Sequence, residues 1–285
     1  MRKIKRGWDL TKKSWGLLRE NPELLRFPLY GGVATIVMAI VVVGPGVFLI
    51  EEDQTVLGGA LAVIGFYLLA VIGTYFSVGL AAAANLIFQG REATVADGLA
   101  VARDRFPQVA GWAAVSTVVG LVLSALENQG AAGQIAGRLL AVGWSLITFL
   151  AVPVIALEGA GPFQTLKRSS SLFRSRWGTQ VTGNIAIGGA VFLFGVLPSA
   201  LLIAAGFLIW ASASFAGALL LVIGVIGLAI SMLVNSALSN IFGVALYRYA
   251  LDGEAVGGFT PAELESAVRT KGGRNAPPTA TPGTV

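Results

Sequence analysis

Residues 177–247 read WGTQVTGNIAIGGAVFLFGVLPSALLIAAGFLIWASASFAGALLLVIGVIGLAISMLVNSALSNIFGVALY and contain no Asp, Glu, Lys or Arg. A hydrocarbon core of about 30 Å is crossed by about 20 helical residues, each rising about 1.5 Å. The stretch is therefore long enough to cross a membrane more than once. Water-soluble domains do not carry charge-free stretches of this length, so the sequence predicts an integral membrane protein.

The composition supports the same class. Hydrophobic residues make up 55% of the chain, charged residues 12%, and the mean hydropathy is +0.77, whereas soluble proteins are about 25% charged. The chain contains no Cys and no His, which excludes disulfides, Cys or His metal sites, and Ser-His or Cys-His catalysis. The acidic residues lie outside or at the edges of the apolar blocks, so we expect no enzymatic activity, no metal and no cofactor.

Six apolar blocks predict six membrane-spanning helices, at about residues 27–50, 56–89, 109–126, 135–157, 181–208 and 215–249. The second block is longer than one bilayer needs, so we expect it to tilt or to protrude at its C-terminal end. Pro198 is expected to kink the fifth helix without ending it. A division of residues 177–247 into three spans stays open, and it would move the C-terminus across the membrane.

An amphipathic segment with basic residues precedes each pair of spans. The first reaches residue 20, the second covers residues 90–106 behind a Thr94-x-x-Asp97 start signal, and the third covers residues 158–178 behind Gly161-Pro162. In the third, the apolar stripe is expected to consist of Phe163, Leu166, Ser170, Phe173 and Trp177. These patterns predict helices that lie in the headgroup layer.

The pattern of segment, span, short turn and span occurs three times. We therefore predict an all-α polytopic membrane bundle built of three helical hairpins, each preceded by a cytoplasmic amphipathic interfacial helix. The membrane domain would cover residues 1–258, with repeats at about 1–90, 91–159 and 160–258. Thr260, Pro261 and Glu263, with Phe259 stapled to Leu264, predict a short cytoplasmic helix over 259–270. Residues 271–285 are rich in Gly, Pro, Thr and Ala and are expected to be a disordered tail.

The basic residues predict the orientation. The N-terminal arm carries eight Lys or Arg, residues 90–106 three, residues 158–178 four and the region from Arg248 another four, whereas the alternate connections carry only Arg138. By the positive-inside rule, both termini face the cytoplasm of a cell (cytoplasmic) membrane. The net charge of +5 therefore orients the chain, and no nucleic acid partner is expected.

Several short runs carry a resemblance to known proteins. They are Arg6-Gly7-Trp8, Asn21-Pro22-Glu23-Leu24-Leu25, Glu158-Gly159-Ala160-Gly161-Pro162, Leu166-Lys167-Arg168-Ser169-Ser170, Arg176-Trp177-Gly178 and Ala245-Leu246-Tyr247-Arg248-Tyr249-Ala250. The chain resembles, to about residue 260, an uncharacterised family of six-span bacterial and archaeal integral membrane proteins. The run LKRSSSLFRSRW at 166–177 is distantly similar to the membrane region of glycerophosphodiester phosphodiesterases. That similarity implies a membrane module near lipid chemistry and no catalysis, because those enzymes keep their catalytic residues in a separate soluble domain.

Two sets of residues are candidate functional sites. An intramembrane polar cluster comprises Asn85, Asn184, Asn235, Asn240, Tyr247 and Glu158. It would either form interhelical hydrogen bonds or line an inward-facing polar cavity. We expect Glu158 either to pair with Lys167 or Arg168, or to act as a proton-coupling carboxylate. Candidate anionic-lipid contacts are Arg103, Arg105, Lys167, Arg168, Arg174 and Arg176.

Two functions fit these sites. The first is a non-enzymatic scaffold or accessory module for lipid or envelope processes at the cytoplasmic membrane. The alternative is a small transporter or channel that uses the polar cluster as an inward-facing cavity. The expected partners are membrane lipids, including anionic headgroups, and a protein partner is left open.

Overall fold

The computed structural model describes residues 13–177, 191–210 and 212–268, and in these ranges the chain contains helices and no β-strand. The helix over residues 13–20 is named α1. The others are α2 (Pro22–Glu51), α3 (Thr55–Phe88), α4 (Val95–Asp104), α5 (Phe106–Glu127), α6 (Gly130–Glu158), α7 (Pro162–Trp177), α8 (Phe192–Ile209), α9 (Ser214–Asp252) and α10 (Pro261–Val268).

Six of these helices, α2, α3, α5, α6, α8 and α9, are long and apolar enough to cross a membrane. The prediction of an all-α polytopic bundle is confirmed, and the helix ends lie close to the expected ones, except that the expected start of the fifth span at about residue 181 lies outside the described residues. Within the described part of residues 177–247 there are two such helices, α8 and α9, in agreement with the two-span division. Asn184 and the expected tail at 271–285 lie outside the described residues.

The six spans form three hairpins, α2–α3, α5–α6 and α8–α9. Glycine allows the helices of the first and third hairpins, α2–α3 and α8–α9, to pack closely. A Cβ on Gly58 would lie 2.6 Å from the carbonyl oxygen of Gly46, and one on Gly206 would lie 2.9 Å from that of Gly217. Small residues at such crossings let helix backbones approach each other where lipid offers no hydrophobic driving force.

The short connections at residues 52–54, 128–129 and 210–213 define the turn end of the bundle. The opposite end carries α1, α4, α7 and α10, and we call it the basic end. The long buried runs lie in the halves of the spans nearest the basic end: residues 78–84 of α3, 150–156 of α6 and 241–247 of α9. The hairpins therefore pack against one another mainly at the basic end.

The second span protrudes at the basic end. The ring of Tyr75 contacts that of Phe106, the first residue of α5, with centroids 6.4 Å apart. From Tyr75 the helix continues to Phe88, which is about 20 Å at about 1.5 Å per residue. α4 returns along this extension, and a Cβ on Gly98 would lie 2.5 Å from Cζ of Phe27. The second span thus extends beyond the start of α5, and its protrusion from the bilayer stays a prediction.

α7 lies against the fourth span, and its buried face differs from the predicted stripe. Thr165 and Ser169 are fully buried and Leu172 and Phe173 are buried, whereas Phe163 is 79% exposed. The cause is a break in α6, which consists of Gly130–Thr148 and Ala151–Glu158. Pro153 lacks an N–H, and its ring conflicts with the carbonyl group four residues earlier.

Ser169 satisfies the backbone groups that this break leaves free. Its Oγ donates to the carbonyl oxygen of Ile147 at 2.5 Å and accepts from the N–H of Leu150 at 3.2 Å. A buried N–H or C=O without a partner costs about 1–3 kcal/mol. Ser169, and with it the position of α7, therefore stabilises the fourth span.

Two capping boxes fix the surface helices α4 and α10. Thr94 and Asp97 exchange backbone and side-chain hydrogen bonds at the start of α4. Thr260 and Glu263 do the same at the start of α10, with Phe259 and Leu264 buried as predicted. Glu263 also accepts from Nζ of Lys13 at 2.6 Å, which joins α1 to α10.

The first prediction concerns Ser169. Ser169→Ala should lower the free energy of unfolding by about 1–3 kcal/mol, because the N–H of Leu150 and the C=O of Ile147 lose a buried partner. Ser170→Ala is the matched control, since the Ser170 hydroxyl is at the surface and bonds only within its own helix. Denaturant unfolding of the purified protein in detergent measures both. Equal stability of the two variants would contradict the role given to Ser169.

The second prediction concerns pH. Burial raises the pKa of Glu263, but the hydrogen bond from Lys13 and those from the Thr260 backbone and hydroxyl outweigh it and leave the pKa below its ordinary value. A lowered folded-state pKa adds stability that is present above the unfolded value, about 4.3, and is lost as the pH falls through the folded value. The melting temperature of the wild type should therefore fall more steeply with acidification than that of Glu263→Gln.

The control for this measurement is Glu20→Gln, which removes an exposed carboxylate of α1. This variant should keep the wild-type pH profile. A Glu263→Gln protein with the wild-type profile would show that the link between α1 and α10 adds no stability.

Candidate functional site at the basic end

Glu158, Arg168 and Tyr247 form a hydrogen-bonded triad where α6, α7 and α9 meet. Oε1 of Glu158 accepts from Nε of Arg168 at 2.9 Å and from the hydroxyl of Tyr247 at 2.8 Å. Arg168 is one of the two partners expected for Glu158. The triad connects three helices and occupies the carboxylate of Glu158 with two donors.

The local sequence brings these groups together. Gly159, with φ of +65°, ends α6 directly after Glu158 in the left-handed conformation that glycine adopts readily. Gly161 and Pro162 then start α7, which runs back along α6, so that Arg168 reaches Glu158 about two helical turns into α7.

Asn85 belongs to a second group, formed with Arg248. Oδ1 of Asn85 accepts from Nη1 of Arg248 at 3.4 Å, and Nη2 of Arg248 lies 3.7 Å from the carboxylate of Glu254. Nε of Arg248 is buried and has no partner. The amide thus helps to hold an arginine of α9 against α3.

The other amides of the predicted cluster make separate contacts. Nδ2 of Asn240 donates to the carbonyl oxygen of Ser236 in its own helix at 2.9 Å. Oδ1 of Asn235 is buried without a partner. Among the described residues, the structure therefore joins Glu158 to Tyr247 and Asn85 to Arg248, and no hydrogen bond links these pairs to Asn235 or Asn240.

A cleft of about 230 Å³ lies between α2, α3 and α9. Its walls include Gly73 and Ser77, which belong to a small-residue stripe in the second span, and Ser236 of α9. None of the predicted amides lines it. Sequence reasoning did not find this cleft, because it depends on which faces of three distant helices meet.

The candidate lipid contacts occupy different settings. Lys167 and Arg174 are exposed and line a depression of about 420 Å³ together with three serines, Ser170, Ser171 and Ser175. Arg168 is engaged by Glu158, and Arg103 is exposed. The guanidinium of Arg105 packs on Gly159. The side chain of Arg176 lies outside the described residues.

The structure also adds residues that the sequence did not single out. Arg248 and Gln108 each have a buried polar atom without a partner, and the three serines share the depression with the cations of α7. The serines were visible in the run at 166–177, but only the fold shows which of them face the depression. In the described part of the chain, no group of three or more acidic side chains could hold a metal ion.

The third prediction concerns the triad. Tyr247→Phe removes only the hydroxyl and should lower the free energy of unfolding by about 1–2 kcal/mol, because the bond is made to a charged acceptor. In a Glu158→Gln background the same change should cost less, since the acceptor is then neutral. A double-mutant cycle in detergent measures the coupling, with the exposed Tyr30→Phe as control. Strictly additive effects would contradict the coupling.

Comparison with known proteins places the chain in a family. Residues 56–258 match the model of a family described as a family of unknown function, DUF6159. No significant match is found among curated proteins or among solved structures, and the resemblance to glycerophosphodiester phosphodiesterases receives no support from these comparisons. The matched residues run from the second span through the sixth and make up well over half of the chain. This six-span membrane protein therefore belongs to the DUF6159 family of unknown function.

Proposed function

We propose that this protein is a non-enzymatic accessory module of the cytoplasmic membrane that holds anionic lipids at its basic end and supports lipid or envelope processes there. In this proposal, both termini face the cytoplasm. The observation that carries it is the depression on α7, in which Lys167 and Arg174 stand beside three serine hydroxyls.

The depression suits a phosphate headgroup. Lys167 and Arg174 lie seven residues apart, which is about two helical turns, on one side of α7. A cation near an anionic membrane surface contributes about 1 kcal/mol to binding, and serine hydroxyls can donate to phosphate oxygens. No acidic residue lines the depression, so its potential is positive.

The triad separates the cations of α7 by role. Arg168 is neutralised by Glu158, whereas no described contact pairs Lys167 or Arg174 with a carboxylate. The two exposed cations are therefore available to a ligand, and Arg168 serves the packing of α7 against α6 and α9. This division favours lipid binding on the face of α7 that carries Lys167 and Arg174.

The distribution of charge supports the orientation. Among the described residues, Lys and Arg lie in or next to α1, α4 and α7 and at Arg248 near the end of α9, whereas the three connections at the turn end carry none; Arg138 lies in α6, near that end. The positive-inside rule then places the basic end in the cytoplasm.

The transporter alternative is less well supported. It requires amides that face a common polar space, yet Asn240 bonds its own helix and Asn85 bonds Arg248. Catalysis is also poorly supported, because the chain has no His or Cys and Glu158 is engaged by two donors. An accessory role needs neither a polar path nor a reactive group.

The fourth prediction tests lipid binding. Purified protein should retain phosphatidylglycerol in preference to phosphatidylcholine in native mass spectrometry. Lys167→Gln combined with Arg174→Gln should weaken that retention about tenfold or more, because two contributions of about 1 kcal/mol are lost. Retention is measured by titrating each lipid into the detergent-solubilised protein.

The control variant combines Arg19→Gln with Arg91→Gln, which removes two exposed cations from the same end of the molecule. It carries the same net charge and should retain phosphatidylglycerol nearly as well as the wild type. Equal retention of the two lipids by the wild type would overturn the proposed function. An equal loss in both double variants would show that the depression has no special part in it.

A further inference from the structure

We propose that the elbow between α4 and α5, together with the turn between α6 and α7, binds a phosphate group that carries a neighbouring hydroxyl, the chemistry of a phosphatidylglycerol headgroup. This inference rests on the proposed function, for which it names a lipid class and a second, more selective site. The site consists of Arg105, Gln108 and the turn from Gly159 to Pro162.

Gly159 leaves room for the side chain of Arg105. A Cβ on Gly159 would lie 2.5 Å from Cζ of Arg105, so any side chain at this position would collide with the guanidinium. The φ of +65° at Gly159 also disfavours other residues. Two independent constraints thus keep the turn open where the guanidinium packs.

Arg105 has no acceptor of its own. Among the described residues no hydrogen bond or ion pair reaches its guanidinium, and its Nε is buried. The nearest carboxylate along the turn, that of Glu158, is engaged by Arg168 and Tyr247. Arginine is always charged, and a partly buried guanidinium is costly unless it is paired. Its fork of donors fits phosphate oxygens, which could bind to it in pairs.

Gln108 adds an unpaired acceptor close to Arg105 in the chain. It lies three residues after Arg105, one helical turn further along, and its Oε1 is buried without a partner. Gly111, three residues later, contacts Pro162: a Cβ there would lie 2.7 Å from Cγ of the proline. Arg105 and Gly111 therefore both contact the turn, at Gly159 and Pro162, and Gln108 lies between them in the chain. A donor and an acceptor on this short segment suit a ligand that offers phosphate oxygens and a hydroxyl.

The turn itself favours an anion. It leads into the N-terminus of α7, a helix of 16 residues with no acidic residue in its first turn. N–H groups at a helix start lack partners within the helix and attract negative charge. Thr165 fixes the turn, because its N–H donates to the carbonyl oxygen of Gly161 at 2.7 Å and its hydroxyl to that of Ala160 at 3.0 Å.

The surroundings favour a lipid over a soluble phosphate. Arg105 directly precedes α5, a membrane span, and so lies at the level where headgroups are found. Phe106 and Phe163, which follow Arg105 and Pro162 in the chain, are 49% and 79% exposed. Exposed aromatic side chains next to a cation at the end of a span are typical of the membrane interface. Acyl chains would cover them while the headgroup reaches Arg105.

The test, our fifth prediction, compares lipids and variants of the full chain in native mass spectrometry. The wild type should retain phosphatidylglycerol more strongly than phosphatidic acid, which lacks the glycerol hydroxyls. Arg105→Gln should weaken phosphatidylglycerol retention about tenfold, because a charge-assisted contact is lost. Arg91→Gln is the matched control: it removes an exposed arginine of the same basic segment, residues 90–106, and should have little effect.

Two further variants separate binding from folding. Gln108→Leu should abolish the preference for phosphatidylglycerol over phosphatidic acid while anionic lipids are still retained. Arg105→Lys keeps the charge but loses the fork, and it should weaken phosphatidylglycerol retention at an unchanged melting temperature. A lipid preference that changes at constant thermal stability cannot come from a merely structural role.

Each outcome decides between the two proposals. If Arg105→Gln and Arg105→Lys retain phosphatidylglycerol as Arg91→Gln does, while the wild type still prefers it to phosphatidylcholine, this site is wrong and the proposed function stands. If the wild type shows no anionic preference, both fail. If soluble glycerol 3-phosphate binds in an Arg105-dependent way and phosphatidylglycerol does not, the phosphate chemistry holds and the assignment to a lipid is overturned.

Discussion

Backbone hydrogen bonding in hydrocarbon constrains the rest of this structure. Each N–H and C=O in a span must find a partner within the protein, and a proline removes one donor and displaces one acceptor. Pro45 and Pro198 each follow a π-helical turn, Ala39–Val43 and Phe192–Val196, within helices that continue. At Pro153 the fourth span breaks instead, and the groups at the break bond to Ser169 of α7. α7, which is not one of the six spans, thus completes the backbone hydrogen bonding of α6.

This dependence explains why the basic end is the most tightly packed part of the molecule. α7 must stay against α6, and it is held by the contact of Ser169 at one level and by the Glu158–Arg168–Tyr247 triad at another. α4 is held against α3 by the approach of Gly98 to Phe27, and α10 is joined to α1 by Lys13 and Glu263. Toward the turn end, Gly44–Glu51 and Leu197–Ile209 pack closely on their own hairpin partners, α3 and α9. The groups assigned to the proposed lipid sites lie at this closely packed end.

The sequence predicted the features that depend on local pattern. The length of each apolar block determines where a span lies. The Thr-x-x-Asp and Thr-x-x-Glu signals determine the starts of α4 and α10, because a capping box depends on residues only three positions apart. The prediction of the buried face of α7 was wrong in part. Periodicity favoured Phe163 and Ser170, whereas Ser169 is buried because it bonds the backbone at the break near Pro153. The pairing of Asn85 with Arg248 joins residues 163 positions apart. No local pattern contains such a contact, and for the same reason the unpaired Arg105 could be named only as one cation among several.

Arg168 and Arg105 both lie near the end of α6, but the carboxylate of Glu158 binds only Arg168. Arg168 of α7 donates to Oε1 of Glu158 through its Nε, and the hydroxyl of Tyr247 donates to the same oxygen. Arg105 lies against the very next residue, Gly159, but finds that carboxylate already engaged. Arg168 thereby keeps α7 against α6 at the level of Glu158, while no described hydrogen bond or ion pair reaches the guanidinium of Arg105. In the proposed lipid site, the requirement to hold α7 in place, which follows from the break in the fourth span, thus assigns Arg168 to the fold and leaves Arg105 for the headgroup.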